Sequence, residues 1–335
     1  MLVERMVSDL TYTVSRESFE SISHQWEQLL PRCETESLFL APLWQQHWWS
    51  EMGQNELVIL AFRQGRDILG IAPLSQKDGH VSLLGQKEFF DYRDFIAPTS
   101  ALETFLHCFI DFMRSAGWQS LSIPSLPGWS PTFNALPGIA RAQGFNVEIR
   151  DEDTAPGLRL PSTWDEYLSV LSKKDRHELR RKLRRLDEAT PWRHYICKDA
   201  SSLPACMADF FRLMRQSREE KDRFLTPSHE AFMLSAVGKL TQAGIANLYF
   251  LEVAGVRVAS AICFDYGKTR YLYNSGFDPS YGHLSVGLLL KALCLKDAIE
   301  SGMSYFDFLR GNERYKYHLG GQDRAIYEVT VRAGE

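Results

Sequence analysis

Apolar side chains at Phe19, Ile22, Trp26, Leu29 and Leu30 recur at the three-and-four spacing of a helix with one buried face, and Ser15 or Ser18 is placed to cap it. A short β-prone run, 11–14, precedes it. Pro42, tolerated in a first helical turn, opens a second helix through Trp44, Trp48 and Trp49. The run ELVILAFRQGRDILGIAPLSQ reads as a hairpin, two β-rich stretches about the turn Gln64-Gly65-Arg66-Asp67. The pattern continues with a strand at 81–84, a helix at 102–116, a strand at 120–123, a helix at 131–143 and a strand at 145–149.

The acidic stretch DEDTAPG, residues 151–157, holds a Pro and a Gly and is the expected junction between a domain of residues 1–150 and one of residues 151–335. Past it, 164–188 predicts one long helix, introduced by Ser162 or Thr163 with Asp165 and Glu166 in the first turn. A strand at 192–197 and helices at 203–219 and 228–243 follow. Three strands, 245–253, 256–266 and 269–277, are joined at Ala254-Gly255 and Gly267-Lys268. A helix at 285–301 and strands at 305–309 and 325–332 end the chain. Hairpin strands interrupted by a helical crossover give an α+β (mixed α/β) class, each half a mixed, mostly antiparallel sheet flanked by helices. The halves share a rough element order, as a duplicated fold would.

Composition narrows the function classes. A hydrophobic fraction of 44% over 335 residues supplies core without staples, and the six scattered cysteines form no C-x-x-C pair and read as buried thiols. No metal site is expected, since the nine histidines show no ligand spacing. A net charge of -4 gives no general attraction for DNA. The N-terminal MLVERMVSDL lacks a signal-peptide pattern, and VGLLLKALCL is too short to span a bilayer and carries Lys291, so a cytoplasmic location without a transmembrane segment is expected.

Four stretches carry chemistry. In YLYNSGFDPSYGHLSVGLLLK a strand enters a loop with Gly276, Gly282 and Gly287 and then a helix with Ser285 at its start. Such a helix start offers unpaired amides and a positive dipole end suited to a diphosphate, although an ordinary strand, turn and helix has the same spacing. In YFDFLRGNERYKYHLGG, Asp307 lies in a strand and Arg310, Glu313, Tyr315, Lys316, Tyr317 and His318 crowd its C-terminal end. A carboxylate, phenols and cations so close can supply a base, an acid and an anion clamp, or else form a solvated loop. Between Lys173 and Glu188 there are eight Lys or Arg against four Asp or Glu. The stripe Leu179, Leu183, Leu186 leaves Arg176, Arg180, Arg181 and Arg184 outward, a face for phosphate, an anionic saccharide or RNA, or a plain solvated surface. In FFDYRDFIAP, Asp91, Tyr92, Arg93 and Asp94 either line an acceptor cleft or form a turn.

Ser172, Lys174, Arg176, Leu179, Arg180 and Arg181, the run from Tyr273 to Gly287, and FDFLRGNERYK from Phe306 to Lys316 together resemble a known family. It is the GNAT-superfamily acetyltransferases of the cellulose-biosynthesis CelD/BcsL type, with BioF2-like acetyltransferase domains, related to the Fem-type peptidoglycan aminoacyltransferases. The resemblance covers roughly residues 150–320. The FDFLRG-x-E-x-YK string is fairly specific, whereas the loop lacks the Q/R-x-x-G-x-G/A string and His318 stands where an aromatic such as Trp is expected. The resemblance implies tandem GNAT folds with the first degenerate, an acyl-CoA donor, and a link to exopolysaccharide or envelope production. It implies cofactor contacts from Asn274, Ser275 and Gly276 and from Tyr281, Gly282, His283, Leu284, Ser285, Val286 and Gly287.

On this reading an acceptor amine or hydroxyl attacks the thioester carbonyl, Glu313 serves as base and Tyr315 as acid with Tyr317 as alternate, and an amide near residues 274–276 polarises the carbonyl. Arg176, Arg180, Asp91, Asp94, Asp307, Arg310 and Lys316 are the expected acceptor and anion contacts. The acceptor is a small molecule or saccharide, and polysaccharide-synthesis proteins are possible partners. Two other expectations compete: an aminoacyl-tRNA donor, motivated by the basic helix, and a non-catalytic scaffold.

Overall fold

The computed structural model describes residues 2–7, 10–189, 191–197, 199 and 201–334, with residues 2–7 and 10 as backbone only. The chain folds as two compact units, residues 1–154 with 324–335, and residues 155–323.

The first unit carries β1 (Leu2–Val7), β2 (Leu10–Glu17), β3 (Glu56–Gln64), β4 (Asp67–Lys77), β5 (His80–Leu83), β6 (Ser120–Pro127) and β7 (Asn146–Thr154), with α1 (Phe19–Leu29), α2 (Pro42–Met52), α3 (Leu102–Ser115) and α4 (Pro131–Ala142). Its sheet order among the described residues is β1-β2-β3-β4-β5-β6, then the chain's last strand, Ala325–Arg332, then β7. That last strand pairs antiparallel with both β6 and β7, so the sequence reading that gave it to the C-terminal domain is corrected. Its alternation of buried Ile326, Val329 and Val331 with polar residues fits either sheet, and only long-range pairing chooses between them. The expected junction at 151–157 is also displaced: β7 runs through Thr154, paired with the last strand, and the break falls at Ala155-Pro156. Pairing in this sheet is antiparallel except between β5 and β6, the strands linked through α3. The α1 cap is Ser18, whose side chain accepts from the Ser21 amide.

The second unit holds β8 (Gly157–Arg159), α5 (Trp164–Val170), α6 (Lys173–Ala189), β9 (Trp192–Cys197), α7 (Leu203–Ser217), α8 (Glu219–Phe224), α9 (Pro227–Gln242), β10 (Ala246–Val253), β11 (Val256–Tyr266), β12 (Thr269–Phe277), α10 (Val286–Glu300), β13 (Tyr305–Asp307) and α11 (Arg314–His318). With these the last strand, Ala325–Arg332, is β14. The sheet order is β8-β13-β12-β11-β10-β9, antiparallel except where β12 and β13 run parallel on either side of α10. The single helix expected over 164–188 is two. The backbone turns extended at Leu171, the Ser172 hydroxyl receives the Asp175 amide, and Thr163 with Glu166 forms the capping box of α5. A short helix, α11, occupies part of the stretch read as a polar loop.

α10 is apolar nearly all round because it lies on the sheet, with Leu289, Leu290, Leu295 and Ala298 in the core. One buried ionic knot fixes it there. Arg270 on β12, 2% exposed, donates two hydrogen bonds of 2.7 Å to Asp265, one of 2.6 Å to Asp297 on α10, and others to the Tyr249 hydroxyl and the Cys294 carbonyl. Burial opposes its charge, but the Asp265 contacts outweigh it and keep the guanidinium protonated.

Candidate active site

Two features of β12 open a site. Its ladder to β13 ends at Tyr271 and Asp307, because β13 is only three residues long, so β12 continues from Leu272 to Phe277 past the end of that pairing. A bulge adds Tyr273, since Ile262 opposes Asn274 and Cys263 opposes Leu272, and re-aims the strand's second half. The resulting cavity, about 350 Å³, is lined from β12 by Ser275 and Phe277, from the start of α10 by Val286 and Gly287, and from the segment after β13 by Glu313 and Tyr315. Ser217, Arg218 and Lys221 line it from α7 and α8, and Lys291 from α10.

The helix start departs from a simple Ser cap. Residues Pro279–Leu284 form a 3-10 turn, and Ser285 adopts a left-handed conformation with φ 58°. Its hydroxyl does not cap α10; it accepts from Lys182 of α6 at 2.8 Å, while Arg185 donates to the His283 carbonyl at 3.1 Å. The amides of Val286 and Gly287, first in the helix, have no intrahelical carbonyl to reach. They border the cavity next to Ser285, which Lys182 holds from behind, an arrangement that suits a diphosphate. Gly287 is fixed by packing, since a Cβ there would lie 2.9 Å from the Phe277 ring. Gly282 lines the cavity, Leu284 is buried, and Tyr281 packs on the core.

The FDFLRGNERYK string has a structural logic. Leu309 has φ 60°, a strained value for a branched side chain, and Asp307 accepts its amide at 2.8 Å. Lys316, 2% exposed, donates to the carbonyls of Leu309, Arg310 and Gly311 at 2.7–2.9 Å and pairs with Glu313 at 2.9 Å. The turn is thus wrapped around one ammonium, which delivers Glu313 and Tyr315 to the cavity. Burial would raise the Glu313 carboxyl, but the Lys316 charge and hydrogen bond hold it below its usual range. Burial, with Glu313 nearby, pushes the Tyr315 phenol well above its ordinary value, so it carries its proton.

The other expected residues are distributed as follows. Asp307 and Lys316 are positioning groups, turned to backbone instead of to an acceptor. Arg310 is not on the cavity wall, and its carbonyl serves Lys316. Tyr317 is 36% exposed and donates to Asp323 at 2.8 Å. Gly276 meets the backbone of α7, where a Cβ would sit 2.3 Å from the Met214 nitrogen; its role is close helix packing. Asn274 accepts from Lys221 and from the Ser275 amide, each at 2.9 Å, which occupies one of the amides in the 274–276 stretch expected to polarise a carbonyl. Arg176 donates to the carbonyls of Leu168 and Ser169 at the end of α5, and Arg180 is exposed on α6. Asp91 and Asp94 belong to the first unit. Asp94 is buried, which raises its carboxyl, and it accepts from Thr35, Ser130 and the Phe95 amide as a loop anchor.

Sequence reasoning passed over Arg218, Lys221 and Lys291. Lys291 was visible as a lone charge in the apolar run VGLLLKALCL, a buried-cation signal. Lys221 stands in EEKDR, which reads as any solvated helix. Burial, then Lys291 and Arg218, bring the Lys221 ammonium down to about 7, and it donates to Asn274 Oδ1 and the Ser275 carbonyl. Burial lowers Lys291 to about 8, and its Nζ donates to the Gly287 carbonyl at 3.0 Å and lies 4.5 Å from the Tyr315 ring centre.

Lys291 gives a signed pH prediction. Between pH 8 and 10.5 the unfolded chain holds this proton and the folded chain releases it, so stability climbs with pH across that window. Lys291→Met therefore stabilises the protein below pH 8 by about 1–2 kcal/mol once the lost hydrogen bond and ring contact are subtracted. The advantage shrinks toward pH 10.5. Melting temperatures of both proteins at pH 7 and pH 10 check this, and an equal gap at both would contradict it.

Residues 173–317 match the model of the Acetyltransferase (GNAT) domain family. This stretch has the GNAT fold. Solved structures share the fold over nearly the whole length. FemX superposes with a TM-score of 0.67 at 11% identity, covering 94% of this chain and 96% of that one. L-PGS from Bacillus licheniformis gives 0.56 at 10% identity, covering 93% and 92%. A tandem GNAT protein from the clavulanic acid biosynthesis pathway gives 0.51 at 12% identity, covering 97% and 99%. At such identities the likeness concerns the fold alone. No curated protein matches the chain. Among the described residues no metal-holding group of His, Cys, Asp or Glu occurs, and no helix is long and apolar enough to cross a membrane.

Proposed function

We propose that the GNAT domain transfers an acyl group, acetyl in the simplest case, from acyl-CoA to an amine or hydroxyl. The observation that carries this reading is one cavity shared by the open first turn of α10 and by the pair Glu313 and Tyr315. The Val286 and Gly287 amides with Lys182 hold the donor's diphosphate. Glu313 takes the acceptor's proton, helped by the surrounding cations, which disfavour the charged form of an incoming ammonium and so make it more acidic. The freed lone pair forms a bond to the thioester carbonyl carbon. The cations lining the cavity meet the negative charge that develops on oxygen. As the carbon–sulfur bond breaks, Tyr315 gives its proton to the thiolate.

The resemblance to CelD/BcsL proteins supports an acceptor from exopolysaccharide or envelope synthesis, with proteins of such a complex as partners. A second reading, an aminoacyl-tRNA donor, draws on the cations of α6, and it requires RNA binding that weakens steeply with salt.

Calorimetric titration separates these readings from a scaffold. Acetyl-CoA and CoA are expected to bind with dissociation constants between about 1 μM and 1 mM, the usual range for enzyme substrates. Absence of heat with both, together with salt-sensitive tRNA binding, overturns the acyl-CoA donor. Silence toward all three leaves the scaffold.

A further inference from the structure

Three cations border the cavity, Arg218, Lys221 and Lys291, against one carboxylate, Glu313, which Lys316 already neutralises from behind. This surplus has no counter-charge within the site. Lys291 is the most telling member. It is 7% exposed, it faces the cavity, and of its three N–H donors one goes to the Gly287 carbonyl while a ring face takes the charge from another side. A buried ammonium with no carboxylate partner is costly, and a protein keeps one where a ligand completes it. The nearby Lys221, partly buried, likewise has no carboxylate partner: its bonds go to the amide oxygen of Asn274 and the Ser275 carbonyl, neutral acceptors both.

The donor does not account for these charges. On the acyl-CoA reading its diphosphate is met at the opening turn of α10 by the Val286 and Gly287 amides, with Lys182 of α6 behind Ser285, and the thioester end is neutral. Lys291 lies a full turn beyond Gly287, over the ring of Tyr315, and Lys221 is anchored on β12. Both therefore stand with the reacting pair, where the acceptor must sit.

Resting on the acyl-CoA reading above, we infer that the acceptor is a small molecule bearing an acidic group, a carboxylate or a phosphate, which Arg218, Lys221 and Lys291 bind beside Glu313. The acid group would order the acceptor and set specificity: an acceptor lacking it leaves three cations unpaired in the cavity. It would also return Lys221 and Lys291 to full charge, strengthening the field in which the oxyanion forms.

The test uses the full chain, saturated with CoA so that the donor site is filled, and titrates inorganic phosphate and malonate by calorimetry. Phosphate or malonate is expected to bind alongside CoA, and the preference between them identifies the acid. Lys291→Met and, independently, the surface variant Arg218→Gln should each weaken that binding at least tenfold while CoA still binds. Melting curves confirm that each variant is folded. If CoA binds and neither anion does, or if CoA and the anions exclude one another, or if both variants bind the anions as the parent does, the acidic acceptor is overturned and the donor reading stands. If the anions bind through Lys291 but CoA does not bind at all, the donor reading fails and the anion pocket remains. Loss of both ligands overturns both.

Discussion

Glu313→Gln lowers the rate of acyl transfer by about a hundred- to ten-thousand-fold, the contribution of a positioned base, while acetyl-CoA still binds. The amide keeps the size of the side chain but cannot take a proton, and it releases the charge that Lys316 neutralises. Because Lys316 also gathers three carbonyls of the preceding turn, the local fold survives on those contacts. The defect should therefore appear in kcat, with donor affinity changed little. A second signature follows from the ionisation of the group. The Glu313 carboxyl lies below its usual range, so the parent enzyme keeps its base ionised down to acidic pH, and the acidic limb of its rate profile falls below the ordinary Glu range near 4.5. Thiol release measured from pH 4 to 9 on parent and variant tests both points. An unaltered kcat would remove Glu313 from the chemistry and leave it a partner of Lys316.

Arg270→Leu should destabilise the second unit by about 3–5 kcal/mol, because it removes a buried cation and strands two half-buried carboxylates. Asp265 and Asp297 have side chains only 17% and 31% exposed and both face the lost guanidinium. The Tyr249 hydroxyl also loses a donor, though it still donates to Asp297. The consequence reaches function, since Asp297 is on α10 and Arg270 is on β12, two of the elements that border the cavity. Chemical denaturation followed by circular dichroism measures the loss. Replacing Asp265 and Asp297 by Asn in the same protein should restore most of it, since amides carry no charge to bury. A loss under about 1 kcal/mol in the single variant would mean that the knot contributes no more than an exposed ion pair.

The periodic elements were legible because each is decided by its own residues. Ser18 caps α1, Pro42 opens α2 and the Gln64–Asp67 turn closes its hairpin, all through contacts within a few residues. The grouping of Glu313, Tyr315 and Lys316 was legible too, since they lie together in sequence, and the fold brings the first two to one cavity. What local pattern misassigned was anything that depends on a distant partner. β14 alternates polar and apolar side chains whichever sheet it joins, and its place between β6 and β7 follows from pairing with strands about 170–210 residues earlier. Asp307 and Lys316 look like ligands in one dimension, yet a tight turn with Leu309 in the left-handed region turns both to backbone. Lys221 and Lys291 are 70 residues apart, and only the approach of α8 to β12 and α10 sets both cations on one cavity. The sequence by itself determined most of the elements, the family resemblance and the clustering of Glu313, Tyr315 and Lys316, because spacing and local hydrogen bonding are short-ranged. The tertiary structure alone decided which charges lost their water, because burial is a property of the packed chain and not of any segment of it.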